Sequence, residues 1–219
     1  MAQIITFAIM AVLVVVLCLK VAKRQRYHAS GEESDIRNTD EYGMPVKSLY
    51  TSTKVFTLHH RIEVTDDAGE TAYRAESKVL SIHDKTHVYR ADGTHIAYIW
   101  RKVFTLHERH FIEMEDGTNF ELSNELFHLI KDVTNIEGLG WQLNGNILQL
   151  NFVISDQFGQ VIATVGQKMF SIHDKYSVDI YMPQHEEKIV AILIALQHMI
   201  HDRVSSSSAA SSGSSSSSG

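Results

Sequence analysis

Lys54-Val-Phe-Thr-Leu-His59 is the stretch on which the reading of the fold turns, because it recurs. Lys78-Val-Leu-Ser-Ile-His83 follows 24 residues on, Lys102-Val-Phe-Thr-Leu-His107 another 24, and Lys168-Met-Phe-Ser-Ile-His173 a further 66. A glycine travels with it. Gly69, Gly93 and Gly117 each lie 15 residues after a repeat lysine, and Gly69, Gly93 and Gly159 each lie nine before one. A fixed period of this length marks one supersecondary unit used several times.

Within each unit the apolar residues alternate with polar ones. Phe56, Leu58, Ile62 and Val64 share one parity, against Thr57, His59, Arg61 and Glu63. Phe104, Leu106, Ile112 and Met114 oppose Thr105, His107, Arg109 and Glu113, and Phe170, Ile172, Tyr176, Val178 and Ile180 oppose Ser171, His173, Lys175, Ser177 and Asp179. Period two with a polar face predicts half-buried antiparallel strands that open at the repeat lysine. The stretches ending in Gly69, Gly93 and Gly117 are turn chemistry, since glycine tolerates positive φ. Each unit is a long strand, a tight turn and a shorter returning strand such as Glu70–Ala75 or Thr94–Trp100. Repeated hairpins point to a meander closing into a barrel or a sandwich. A propeller is disfavoured, because 24 residues are too few for a four-stranded blade.

Outward from the repeats the chain changes character. Ser123–Lys131 reads as a short helix or an irregular strand pair. Asn144-Gly-Asn146 is turn-prone, and strands resume with the alternation of Ile147 to Phe152. Ile189–Leu196 is apolar on every side and is followed by Met199 and Ile200. A helix of that kind, predicted over Glu186–Asp202, must be enclosed, and it is too short for a bilayer. Glu186 and Glu187 suit its N-terminus, and His198, His201 and Arg203 its C-terminus. A buried helix after a set of strands suggests a barrel threaded by its own C-terminal helix. Residues 204–219 are serine-rich and read as a disordered tail, or as a linker added to the protein.

Residues 2–19 carry only Gln3 and Thr6 as polar side chains, near the lower length limit for a membrane span. No Lys or Arg precedes that run, while Lys20, Lys23, Arg24 and Arg26 follow it, which favours an uncleaved single-pass anchor over a signal peptide. The expected topology puts the N-terminus outside and the body in the cytoplasm, at the cell membrane. Those four cations would meet anionic headgroups. Residues 20–50 form a basic juxtamembrane segment and a flexible linker, and residues 51–203 the folded body. The one cysteine, Cys18, excludes an internal disulfide, and with Leu17 before it the lipoprotein reading is disfavoured.

The net charge of −6 hides a split: with the four N-terminal cations set aside, residues 27–219 carry −10. That balance argues against nucleic acid as a partner, although a local basic patch can exist inside it.

The Lys-x-Phe-[Ser/Thr]-[Leu/Ile] openings, the Asp-Gly turns, Ile136-Glu-Gly-Leu-Gly-Trp141, Tyr176-Ser-Val-Asp-Ile180 and the apolar C-terminal helix together resemble the bacterial LURP-one-related proteins. Those belong with the Tubby C-terminal domain and the phospholipid scramblases. The resemblance covers about Lys54 to Asp202. It implies a mainly β fold, a Tubby-like closed antiparallel barrel of about twelve strands around a central hydrophobic helix. It brings no catalytic residues. Lipid binding, known for Tubby domains and scramblases, is implied only at class level.

Candidate chemistry is sparse. Lys54, Lys78, Lys102 and Lys168 are candidates for a phosphate-meeting rim, or else solvent-exposed lysines that block edge pairing. His83-Asp84 and His173-Asp174 are the strongest candidates for a metal or pH-sensing site, though recurrence alone would explain them. His198 and His201, at helical i, i+3 spacing, are weaker candidates for a shared ligand. Phe56, Phe104, Phe170 and Trp141 read as barrel packing. There is no P-loop, no Gly-x-Gly-x-x-Gly, no EF-hand loop and no nucleophile elbow, so neither an enzyme nor a cofactor is expected. The leading expectation is a membrane-anchored binding or scaffold module that engages lipid or a membrane protein. The alternatives are a scramblase-like lipid-handling protein and a His-based metal or pH sensor.

Overall fold

Four turns of one design set the sheet. In Asp66–Gly69, Arg90–Gly93, Met114–Gly117 and Asp156–Gly159 the glycine N–H donates to the carbonyl three residues back, each at 3.0 Å. The glycines have φ between 80° and 89°, a left-handed position that suits a type I turn followed by a bulge. Asp66 and Asp156 lock their loops by accepting from the N–H groups two and four residues on. The turn chemistry expected around these glycines is what the chain uses.

The computed structural model describes residues 42–52, 61–78, 85–102, 109–123, 133–167 and 175–211, within the unit Ile36–Gly219. They form β1 (Lys47–Ser52), β2 (Arg61–Thr65), β3 (Thr71–Lys78), β4 (Lys85–Arg90), β5 (His95–Lys102), β6 (Arg109–Met114), β7 (Asn119–Ser123) and β8 (Val133–Ile136). There follow β9 (Trp141–Asn146), β10 (Asn151–Ser155), β11 (Val161–Gln167), β12 (Lys175–Ile180) and one helix, α1 (Glu186–Ser211). Every described strand pairing is antiparallel, and the sheet runs β7 back to β1, across to β12, and on to β8. β1 and β12 are zipped over six positions, from Lys47↔Ile180 to Ser52↔Lys175. The two edges, β7 and β8, meet at one bridge, Glu121↔Glu137. The result is a nearly closed, up-and-down, twelve-stranded barrel.

Alternation decides what points inward. Leu49, Ile62, Val64, Val88, Ile99, Ile112, Leu122, Leu143, Phe152, Ile154, Val178 and Ile180 are all buried, while Arg61, Glu63 and Glu113 on the other parity are exposed. Those inner faces wrap α1. From Ile189 to Leu196 no residue exceeds 1% exposure, so the helix is walled in on every side. Each buried Ile, Leu or Val among them contributes roughly 1.5–3 kcal/mol. Trp141 is buried with the core and packs edge-on against His185 at 5.0 Å. The helix start is tethered by charge. Glu186 Oε1 accepts from Lys47 Nζ at 2.6 Å and from Tyr73 OH at 2.7 Å, Glu187 pairs with Arg90, and Lys188 with Asp116. The two glutamates also oppose the positive end of the helix dipole.

Several expectations need correction. Lys78 and Lys102 close β3 and β5; they do not open a strand. The nine-residue gap from turn glycine to repeat lysine holds the outgoing strand, eight residues long in β3 and in β5. β1 begins at Lys47, inside the stretch read as linker. Asn144-Gly-Asn146 ends β9, and the reversal falls on Ile147–Leu150, a 3-10 turn capped by the Asn146 side chain and finished by Leu150 at φ 50°. α1 continues to Ser211, into the expected disordered tail. Residues 2–19, 53–60 and 124–132 lie outside the described residues, and with them the expected membrane anchor and the Ser123–Lys131 alternatives beyond Ser123. Among the described residues, no helix is long and apolar enough to cross a membrane.

Leu193 is 1% exposed, so Leu193→Asp places an unpaired charge in the barrel axis. The cost, about 3–5 kcal/mol, rivals the whole stability of an ordinary domain. The variant should lose its cooperative thermal transition, whereas Leu193→Met should keep it; an unchanged Leu193→Asp melting curve would mean that the helix is not enclosed.

Candidate functional site

Antiparallel order gives the barrel two unlike ends. β1, β3, β5, β7, β9 and β11 run toward one end, and the tight glycine turns occupy the other. The strand ends that flank every copy of the Lys-x-[Phe/Leu]-[Ser/Thr]-[Leu/Ile]-His repeat therefore lie together. At that end β2 begins with Arg61, β3 ends with Lys78, β4 begins with Lys85, β5 ends with Lys102 and β6 begins with Arg109. Lys78 faces Lys85 in register, and Lys102 faces Arg109. Like charges directly opposite on neighbouring strands oppose pairing. Lys85 and Lys102 are exposed; Arg61 pairs with Glu63, and Arg109 with Glu121.

The turn end carries the opposite sign. Asp66, Asp67, Glu70, Asp92, Glu115, Asp116 and Asp156 sit on its hairpins, with Glu186 and Glu187 at the helix start. Its cations Lys47, Arg90 and Lys188 are each paired to an acid. The acidic average of the body thus conceals a charge gradient along the barrel.

Behind the basic end the barrel interior is polar. Thr51, Thr86, His110 and Gln197 are 1–3% exposed. Gln197 Nε2 donates to Thr51 Oγ1 at 3.2 Å, Ser77 and Thr86 share a hydrogen bond of 2.8 Å, and Thr86 Oγ1 lies 3.3 Å from His198 Nε2. Arg101, opposite His110 in register, shares the inward parity of Ile99 and is half-buried. His110 Nδ1 and Gln197 Oε1 are buried with no hydrogen-bond partner among the described residues. Burial pushes the His110 pKa from 6.5 to about 3, helped by the nearby charges of His198 and Arg101.

Of the residues singled out from sequence, Lys78 and Lys102 come to the same end, one strand apart. Lys20, Lys23, Arg24, Arg26, Lys54, Lys168, His83 and His173 lie outside the described residues. Among the described residues, no group of three or more His, Cys, Asp or Glu is placed to hold a metal ion. His198 turns to Thr86 while His201 is exposed. Sequence reading missed Arg61, Lys85 and Arg109 as rim residues, because strand register decides them. It also missed His110, although parity with Ile112 and Met114 marks it as inward-facing.

The sign of the pH effect follows from the His110 burial. Above pH 6.5 the imidazole is neutral whether the chain is folded or not. Below it the unfolded chain takes up a proton that the folded chain refuses down to about pH 3, so stability falls as pH falls through that window. By pH 5 the loss is about 2 kcal/mol. The drop in melting temperature between pH 7 and pH 5 should shrink in His110→Asn; an equal drop in both proteins would mean that His110 is not held neutral inside.

Residues 47–197, more than half of the chain, match the family described as LURP-one-related (LOR). No curated protein matches. The fold is similar to the X-ray structure of the Arabidopsis thaliana protein AT5G01750, at 13% identity and a TM-score of 0.41, over 75% of this chain and 95% of that one. With the repeat, the twelve-stranded barrel and the family match over its length, the chain belongs to the LURP-one-related family.

Proposed function

We propose that the protein is a membrane-anchored, non-enzymatic binding module whose barrel meets an anionic membrane surface with its basic end. The observation that carries this reading is the pair of like-charged register positions, Lys78↔Lys85 and Lys102↔Arg109, gathered on four adjacent strand ends. Arg109 is paired with Glu121, while Lys85 and Lys102 stand exposed, and phosphate-bearing headgroups would supply anions to them. Each Lys or Arg held near an anionic leaflet contributes about 1 kcal/mol, so several together give affinity without a deep pocket. The acidic turn end would be repelled by the same surface, which orients the barrel. Residues 2–19 would supply the anchor, with the N-terminus outside and the barrel in the cytoplasm, and Lys20, Lys23, Arg24 and Arg26 would add charge beside it.

The test is liposome flotation of residues 36–219, which lack the apolar segment. Binding should rise with the phosphatidylserine content of phosphatidylcholine vesicles and fall as salt is raised. Lys85→Glu with Lys102→Glu should weaken it at least tenfold while leaving the melting curve in place. Equal binding to neutral vesicles, or none to anionic ones, would refute the reading and confine membrane attachment to residues before the barrel.

A further inference from the structure

The inner wall turns polar one step inside the basic end, and there it carries an unbonded group. Along β5 and β6 the inward register pairs run from Ile99↔Ile112 to Arg101↔His110, just short of the Lys102↔Arg109 rim. His110 is 3% exposed, and its Nδ1 is buried with no hydrogen-bond partner among the described residues. A buried ring nitrogen left unbonded destabilises the fold, and a ligand that supplies the bond removes that penalty.

The surroundings select the sign of the ligand. From the described elements packed around His110, the charged or titratable groups that face it are Arg101 of β5, in register with it, and His198 of α1, whose Nε2 lies 3.3 Å from Thr86 Oγ1 on β4. Burial opposes a proton on His110 most, and the charges of His198 and Arg101 oppose it further. β7 adds no acid to the bore, because Glu121 has the outer parity, between the buried Phe120 and Leu122, and accepts from Arg109. Lys85 and Lys102 stand exposed around the same opening. A cation would be repelled by Arg101, which stays protonated. A neutral ligand would gain one hydrogen bond. An oxyanion gains that bond and the positive field together. It also favours the imidazolium form of the ring, which then donates a charge-assisted bond.

We propose that the polar mouth of the barrel is an oxyanion site, in which His110 Nδ1–H, flanked by Arg101 and His198, donates to a phosphate-type group and the ring takes up a proton from solvent as that group binds. The same chemistry is offered by a phosphomonoester headgroup at a membrane surface and by free phosphate. The site deepens the membrane reading, since it lies behind the same basic rim, but its test does not depend on vesicle binding.

The experiment labels the histidine rings of the full chain with nitrogen-15 and follows them by NMR as sulfate is added at pH 7.5 and at pH 5.5, with His110→Asn to assign the signal. Sulfate keeps its double charge over that range, so the pH dependence belongs to the protein. A saturable shift of the His110 ring is expected, with binding at least threefold tighter at pH 5.5. Arg101→Gln should weaken binding at least tenfold at an unchanged melting temperature. His110→Asn, whose amide donates without titrating, should flatten the pH dependence, and His198→Asn should keep it. No shift of the His110 ring at either pH, or a pH dependence unchanged in His110→Asn, would overturn the proposal. Dihexanoylphosphatidic acid below its micelle concentration, set against inorganic phosphate, separates the two sources: tenfold tighter binding of the lipid assigns the site to a headgroup, and equal binding assigns it to free phosphate. If vesicle flotation fails while sulfate still moves His110, the membrane reading falls and the oxyanion site stands; the reverse pattern sinks the site alone.

Discussion

A helix without a polar face has no stable place on a protein surface. Ile189 to Leu196 leave no side on which water is welcome. The rest of the architecture answers that constraint. A helix with its side chains is about 10–12 Å across, and barrels of more than about eight strands leave interior room beyond their own side chains. Twelve strands supply both the room and the apolar lining. Depth in the bore is set at one end, where Glu186, Glu187 and Lys188 are tied to Tyr73, Lys47, Arg90 and Asp116. Rotation is set near the other, where Gln197 and His198 bond to Thr51 and Thr86. An all-apolar rod would otherwise slide and turn at little cost. These polar contacts give it one register, a use of buried polar groups known from coiled coils.

Much of this was legible because it is local. Strand parity follows from alternation, so Ile62, Val64, Ile112, Met114, Val178 and Ile180 were assignable to the core one by one. The turn glycines announce themselves through Asp-Gly spacing. The enclosed helix follows from composition over two turns. What stayed hidden depends on residues far apart in the chain. β1 has only Leu49 as a buried apolar residue and is a strand because β12, nearly 130 residues later, lies against it. Lys85 and Arg109 join the basic end only once Lys78↔Lys85 and Lys102↔Arg109 are known as register pairs. The meeting of β7 and β8 was illegible for the same reason: nothing near Glu121 says that Glu137 will be its neighbour.

The barrel therefore presents two distinct ends on one scaffold. The glycine turns carry acids, and the repeat-flanking strand ends carry cations. Because the interior is filled by α1, functional chemistry is pushed to these outer regions and to the polar layer behind the basic end.

The central claim is that α1 is enclosed, and native-state hydrogen exchange tests it most directly. Amides of Ile189 to Leu196 should exchange only through global unfolding, with the same free energy as the slowest amides of β1 and β12. Exchange of those helix amides at a markedly lower free energy, while the strands stay protected, would show a helix that leaves the barrel on its own and would contradict the account.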